Sequence, residues 1–103
     1  MNTNERSALC PRVEAVFGLL AKKWMGLIIY SLIGGELYFC DLEKAIPALS
    51  ARVLTERIRE LELEGLVLRK ISNSSPVRVS YVLTENGKSL ASAVQGIADW
   101  ANA

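Results

Sequence analysis

The sequence predicts a mainly helical α+β domain: a winged helix-turn-helix with a two-stranded wing, flanked by N- and C-terminal helices suited to dimerisation. Three observations carry this. Residues 50–65 read as one capped amphipathic helix with a stop signal. A shorter helical segment, 41–45, stands just before it across a tight turn at Pro47. Two strand-like runs, 66–71 and 77–83, follow it around the turn-rich loop Ser72-Asn73-Ser74-Ser75-Pro76. Helix, helix and hairpin in that order make the winged motif. The 103 residues suffice for one core, and a 50% hydrophobic content favours a folded chain. The expected organisation is a single domain over 1–103. A flexible arm covers 1–9, the helix-turn-helix 41–65, the wing 66–83 and a dimerisation helix 84–103.

Taken in order, Pro11 suits the first turn of a helix with Cys10 as its cap residue. Val13, Val16, Phe17 and Leu20 give that helix an apolar stripe, and Lys22 and Lys23 suit its negative end. A second helix is expected over 24–33, stopped by Gly34-Gly35; being apolar nearly all round, it should sit at the centre of the core. Leu37-Tyr38-Phe39 is too short for more than a strand fragment. In the 41–45 helix, Leu42 and Ile46 face inward.

The helix over 50–65 starts at Ser50, whose hydroxyl can accept from a free backbone N–H, and stops at Gly65, where a left-handed cap falls. Leu54, Ile58 and Leu61 define its dry stripe. Its wet side carries Arg52, Glu56 and Arg59, flanked by Ala51 and Thr55. In the second strand, Val77, Val79 and Tyr81 alternate with Arg78 and Ser80. Thr84 caps the last helix, whose stripe of Leu90, Val94, Ile97 and Ala101 follows an already complete domain. That suggests docking on the same face of a second copy, with help from the first helix.

Composition narrows the function. Net charge is only +1, which excludes a broad polycationic coat, yet six of the twelve Lys and Arg lie between Arg52 and Arg78. Any nucleic-acid surface must be a local patch. With no histidine, the commonest general base and metal ligand is missing, and two cysteines alone make no zinc site. No glycine-rich phosphate loop occurs, so neither an enzyme nor a metal or organic cofactor is expected. No secretory leader is expected from the polar opening residues, and the most apolar run, 24–33, falls short of the roughly 20 residues that span a bilayer. Two cysteines form no secreted disulfide framework, and the expected location is cytoplasmic, away from membranes.

A short helix with a guanidinium-bearing face fits the DNA major groove. Arg52 and Arg59 are the candidates for base contacts, on a face that also carries Glu56; Thr55 suits a thymine methyl or a phosphate; the amides near Ser50 and Ala51 suit phosphate. The competing reading is a solvated face with local Arg–Glu pairs such as Arg52–Glu56. Arg57, nearer the dry stripe, is equally suited to bridging a neighbouring helix. In the wing, Arg69, Lys70 and Arg78 suit phosphates or the minor groove, with Asn73 at the tip. Their alternative is ordinary strand-surface charge. Cys10 at a helix N-terminus, near Arg6 and Arg12, has reason to ionise and react; the alternative is a small buried hydrophobe. Cys40 is expected to be mostly buried. Trp24, Trp100, Phe17, Tyr30 and Phe39 read as packing residues, leaving room for a small pocket at a dimer interface.

An ordered series of motifs resembles a known family. It comprises Cys10-Pro11, Gly18-Leu19-Leu20, Lys23-Trp24, Leu27-Ile28, the run from Leu54 to Glu62, Gly65-Leu66-Val67, the run from Tyr81 to Gly87, and Trp100. Over roughly residues 10–100 the chain is similar to HxlR-type winged helix-turn-helix regulators, particularly the thiol-sensing branch that represses detoxification genes and responds to quinones, diamide or other electrophiles. The resemblance implies a homodimer on a pseudo-palindromic DNA operator, a reactive cysteine at Cys10 and a small electrophile or oxidant as effector. It favours the sensor role for Cys10, with Cys40 a secondary candidate for pairing with Cys10 of the other subunit. Val13, Val16, Phe17, Leu90, Val94, Ile97, Trp100 and Ala101 are the interface candidates. The chain departs from the family in places. The usual Gly-Pro-x-Arg-Phe is Gly35-Glu36-Leu37-Tyr38-Phe39, without its Pro and Arg; the wing Pro-Pro is Ser75-Pro76; Cys40 replaces a polar residue; and distal cysteines of some relatives have no counterpart. Two other readings remain at this point: a winged helix that binds protein through Glu60, Glu62 and Glu64, and a ligand-responsive regulator with a dimer-interface pocket.

Overall fold

The computed structural model describes residues 8–103. Most of the arm expected over 1–9 lies outside these residues, and so does Arg6. Five helices and three short strands follow in the order α1 (Pro11–Ala21), α2 (Met25–Ser31), β1 (Leu37–Tyr38), α3 (Phe39–Ala45), α4 (Ala51–Leu63), β2 (Val67–Ile71), β3 (Val79–Leu83) and α5 (Glu85–Ala101). The core gathers Met25, Ile28, Ile29 and Leu32 of α2 against Leu42 of α3, Leu54, Ile58 and Leu61 of α4, Tyr81 and Leu83 of β3, and Ala91 and Val94 of α5.

Local chemistry sets the limits of the reading helix. The Ser50 hydroxyl accepts from the Val53 N–H at 3.2 Å, satisfying one free amide of the first turn. At the other end Gly65 takes φ +73°. Its N–H donates to the Glu62 carbonyl at 3.0 Å, and the Leu66 N–H donates to the Leu61 carbonyl at 2.9 Å. This paired closure needs a left-handed residue, which glycine supplies without a Cβ clash.

Several expectations need correction. The two-stranded wing of β2 and β3 forms as expected, but the strand fragment β1 joins it, giving a three-stranded antiparallel sheet in the order β1-β3-β2, with Leu37 opposite Tyr81 and Tyr38 opposite Ser80. β3 therefore lies between two neighbours, and Ser80, expected to point outward, is buried, donating its hydroxyl proton to Glu36. β3 also starts at Val79 rather than Val77, because the Arg78 N–H is already taken by the Ser72 hydroxyl at 2.9 Å. The second helix starts one residue later than expected, since Trp24 adopts the left-handed φ of 77°. It is not buried all round: Leu27 and Tyr30 are exposed, and so is Ile33 just past its end. α3 begins at Phe39, two residues early; the Asp41 carboxylate accepts from the Tyr38 N–H at 2.8 Å and closes its first turn.

The two ends of the chain differ in how they use their apolar stripes. α1 packs on α2 but buries none of its residues; Val13 and Phe17 are exposed, Phe17 at 69%. α5 lies on α2 and on β3, which puts Gly87, Ala91 and Val94 in the core. Val94, expected at a dimer interface, is thus a core residue of the chain itself, and Leu90 is partly covered there too. Ile97 and Trp100, beyond the reach of the core, stand 64% and 80% exposed. Ala101 is exposed beside them, while Val16 is half-buried.

Candidate nucleic-acid interface and thiol

α4 presents the residues expected to read DNA on its open side. The Arg52 side chain is 84% exposed and lies 3.8 Å from Glu56, a long surface pair that contributes little and leaves the guanidinium available. The Thr55 hydroxyl donates to the Ala51 carbonyl at 2.9 Å, so its proton is engaged within the helix. Ser50 and Ala51 are exposed at the helix start. Arg59 is exposed and lines a shallow groove of about 370 Å³ with Thr55, Ile58, Glu62, Arg69 and Tyr81. The structure thereby brings Arg59 of α4 and Arg69 of β2 onto one concave strip. A sheet cation such as Arg69 at the edge of a reading helix suits the phosphate backbone beside the groove that the helix enters, leaving Arg59 of the helix for the bases.

The rest of the wing is organised by a strap that sequence reasoning missed. The Lys70 ammonium donates to Glu36 at 3.1 Å, and the Ser80 hydroxyl donates to the other oxygen of the same carboxylate. These two bonds, the serine's first, hold the Glu36 carboxyl below its ordinary pKa. The Arg78 guanidinium stacks over the Tyr38 ring with 3.5 Å between its central carbon and the ring centroid. Lys70 and Arg78, expected as free wing cations, are tethered to β1 and the residue before it. Asn73 stays exposed at the tip. Glu36 and Tyr38 belong to the stretch where the family's Pro and Arg are absent, and nothing local in those residues signals a partner forty positions away.

Arg57 settles in favour of its second reading. Its Nε–H donates to the Lys23 carbonyl at 3.0 Å, and its Nη1 donates to Glu60 at 3.2 Å. It is a bridge to the link between α1 and α2, pointing away from the open side of α4. Glu60 in turn pairs with Lys22, so it is tied up within the chain.

Cys10 is the cap residue of α1 and is exposed. No hydrogen bond of ordinary geometry runs from its side chain to the first turn. The amides of Val13 and Arg12 nonetheless point towards the sulfur, and these, with a smaller contribution from the Arg12 charge, lower its pKa. An exposed thiol with stabilised thiolate is chemically competent towards electrophiles. Cys40 is also exposed, against expectation. It stands two residues before Leu42, about 200° round α3, so the turn that buries Leu42 pushes Cys40 outward. An apolar groove of about 630 Å³ lies between α2 and the end of α5, lined by Trp24, Leu27, Tyr30, Val94, Ile97 and Ala101 among others. No helix among the described residues is long and apolar enough to cross a membrane.

Comparison with known proteins decides the family. Residues 19–103 match the HxlR-like helix-turn-helix family. The chain belongs to the HxlR family of transcriptional regulators. As a member of it, the protein is a DNA-binding transcriptional regulator, not an enzyme, which also sets aside the protein-docking reading. It is 46% identical over 96 residues to the HTH-type transcriptional regulator YvaP of Bacillus subtilis, spanning 93% of this chain and 89% of YvaP. With YodB of the same organism it shares 40% over 96 residues, 93% of this chain and 86% of YodB. The reduced form of YodB superposes with a TM-score of 0.82 at 40% identity, covering 92% of this chain and 93% of that structure. The oxidised form of the redox regulator HypR superposes with a TM-score of 0.83 at 34% identity, covering 90% and 95%. YodB has also been crystallised quinone-bound and diamide-treated. This HxlR-family chain is thus close, in sequence and in backbone, to redox-responsive regulators.

Proposed function

We propose that the protein is a homodimeric repressor of detoxification or stress genes, acting in the cytoplasm, whose hold on a pseudo-palindromic operator is released when Cys10 is alkylated or oxidised. The observation that carries this reading is the placement of Cys10: an exposed thiol, its pKa lowered by the first turn of α1, on a helix that has no fully buried residue and leaves Val13 and Phe17 of its apolar stripe exposed. Such a helix is anchored by a second copy, so a group added at its start bears on the interface. Likeness to YodB and HypR supports the same reading. With a quinone, the Cys10 thiolate adds to a ring carbon; the C–S bond forms as ring electrons move onto one carbonyl oxygen, which takes a proton from water, and loss of the proton on the attacked carbon sends its C–H electrons into the ring and onto the other oxygen, which is protonated in turn to leave a hydroquinone thioether. No other reactant is required. Two copies of α4 then read half-sites about one helical turn apart, and a change in α1 alters their spacing.

The test compares wild type with Cys10→Ser on operator DNA, by anisotropy, with and without a quinone. The Ser variant is expected to bind within about twofold of wild type and to ignore a quinone dose that weakens wild type by about tenfold or more. Undiminished release of Cys10→Ser overturns the thiol switch. The groove of Trp24, Leu27, Tyr30 and Ile97 favours a second reading, a regulator answering to an apolar ligand bound there; release of Cys10→Ser by an unreactive aromatic is the result that supports it.

A further inference from the structure

We propose that Glu60 is a positioning residue for DNA reading, the joint that fixes α4 against the link between α1 and α2 and so sets the separation of the two reading helices. This rests on the dimeric reading above. The link is short and stiff. The Lys22 N–H donates to the Leu19 carbonyl at 3.2 Å and the Met25 N–H donates to the Lys22 carbonyl at 3.1 Å. Between them Trp24 holds a φ of 77°, a conformation rare for a bulky side chain and retained only where the surroundings enforce it. Its ring packs against the core, with the Lys23 ammonium 5.1 Å from the ring centroid.

Three polar contacts from α4 converge on this link and on one another. Glu60 pairs with Lys22; Arg57 donates to Glu60 and to the Lys23 carbonyl. The side chains of Arg57 and Glu60 are 20% and 28% exposed, so solvent and salt screen them less than the open pairs of the surface. Three residues apart, they share one face of α4, turned away from the face of Arg52 and Arg59. α1 therefore has an outer face free for a second copy and an inner side held in its own chain, where Leu19 and Leu20 pack on the core and the C-terminal end is tied through Lys22 to Glu60 of α4. Whatever orients α1 in the dimer is passed to α4 at this point. The leucine stripe of α4 keeps the helix folded without it; Glu60 determines where the helix points.

The experiment uses the full chain and an operator selected by wild type from random DNA. That operator is then presented with its half-site separation changed by one base pair either way, and as a single half-site. Wild type should lose about tenfold or more on the altered spacings, the size of an ordinary coupling between sites. Glu60→Gln should discriminate by less than about threefold, and so should Lys22→Met, which alters only a half-exposed side chain should the first variant fold poorly. Lys22→Arg should restore the preference. Single-half-site affinity, and its dependence on salt, should stay at the wild-type value in all three. A folded Glu60→Gln or Lys22→Met dimer that keeps the wild-type spacing preference overturns the proposal. An equal loss on the single half-site also overturns it, since that marks a DNA contact or a fold defect. If wild type selects no operator at all, the dimeric reading has failed and this joint falls with it.

Discussion

Single side chains of the same charge do different work here, and their partners decide which. Arg52 and Arg59 stand open on α4, Arg57 is spent on the α1–α2 link, Arg78 on a tyrosine ring, and Arg69 faces the groove beside Arg59. Arg59→Ala should cost about 1–3 kcal/mol of operator affinity and relax selectivity at one base position, because a bidentate guanine contact carries discrimination. Arg69→Ala should instead weaken all DNA alike and lower the salt slope by about one counterion. Titrating both variants against operator and scrambled DNA over a range of salt separates the two roles.

At the scale of elements, the crossing of α4, the sheet and α5 depends on residues 84–87. The Thr84 hydroxyl donates to the Gly65 carbonyl at 2.7 Å and accepts from the Gly87 N–H at 3.0 Å, while the Thr84 N–H donates to the Leu66 carbonyl at 3.0 Å. One residue thus caps α5 and ties it to the end of α4. Gly87 sits where a Cβ would fall 2.0 Å from the Leu66 carbonyl oxygen. Helix propensity alone favours alanine there by ~1 kcal/mol. The clash is with backbone, which has little room to yield, and overpacking of that kind costs about 1–3 kcal/mol. Gly87→Ala is therefore expected to lower the urea midpoint with an unchanged m-value. A rise in midpoint would show that α5 slides over the carbonyl freely. Within the Tyr81–Gly87 motif, Thr84 and Gly87 are the residues that this junction requires.

For the whole molecule, the distribution of apolar surface matters more than its amount. Phe17 on α1 and Trp100 on α5 are 69% and 80% exposed, and neither supports the core of its own subunit. A charge at either should leave the fold intact while removing the docking surface. Phe17→Glu and Trp100→Glu are expected to sediment as monomers and to lose operator affinity about a hundredfold, as the second half-site contact ceases to be intramolecular. Single-half-site binding should persist. A dimeric Trp100→Glu protein would place the interface on α1 and elsewhere.

What the residues determined by themselves is what short-range chemistry controls. The limits of α4 follow from a serine hydroxyl and a glycine lying at its ends, the cap of α5 from Thr84, and the inward stripes of α3 and α4 from helical spacing. The motif order identified the winged helix, and the open arginines of α4 were legible because the dry stripe leaves them one side to occupy. Tertiary structure alone decided the third strand, the burial of Ser80, the tethering of Lys70 and Arg78, the assignment of Val94 to the core, and the grip of Glu60 on Lys22. Each of these depends on a partner far away in the chain. A two-residue strand has no periodicity of its own, and a salt bridge across 38 positions leaves no mark in the spacing of either residue.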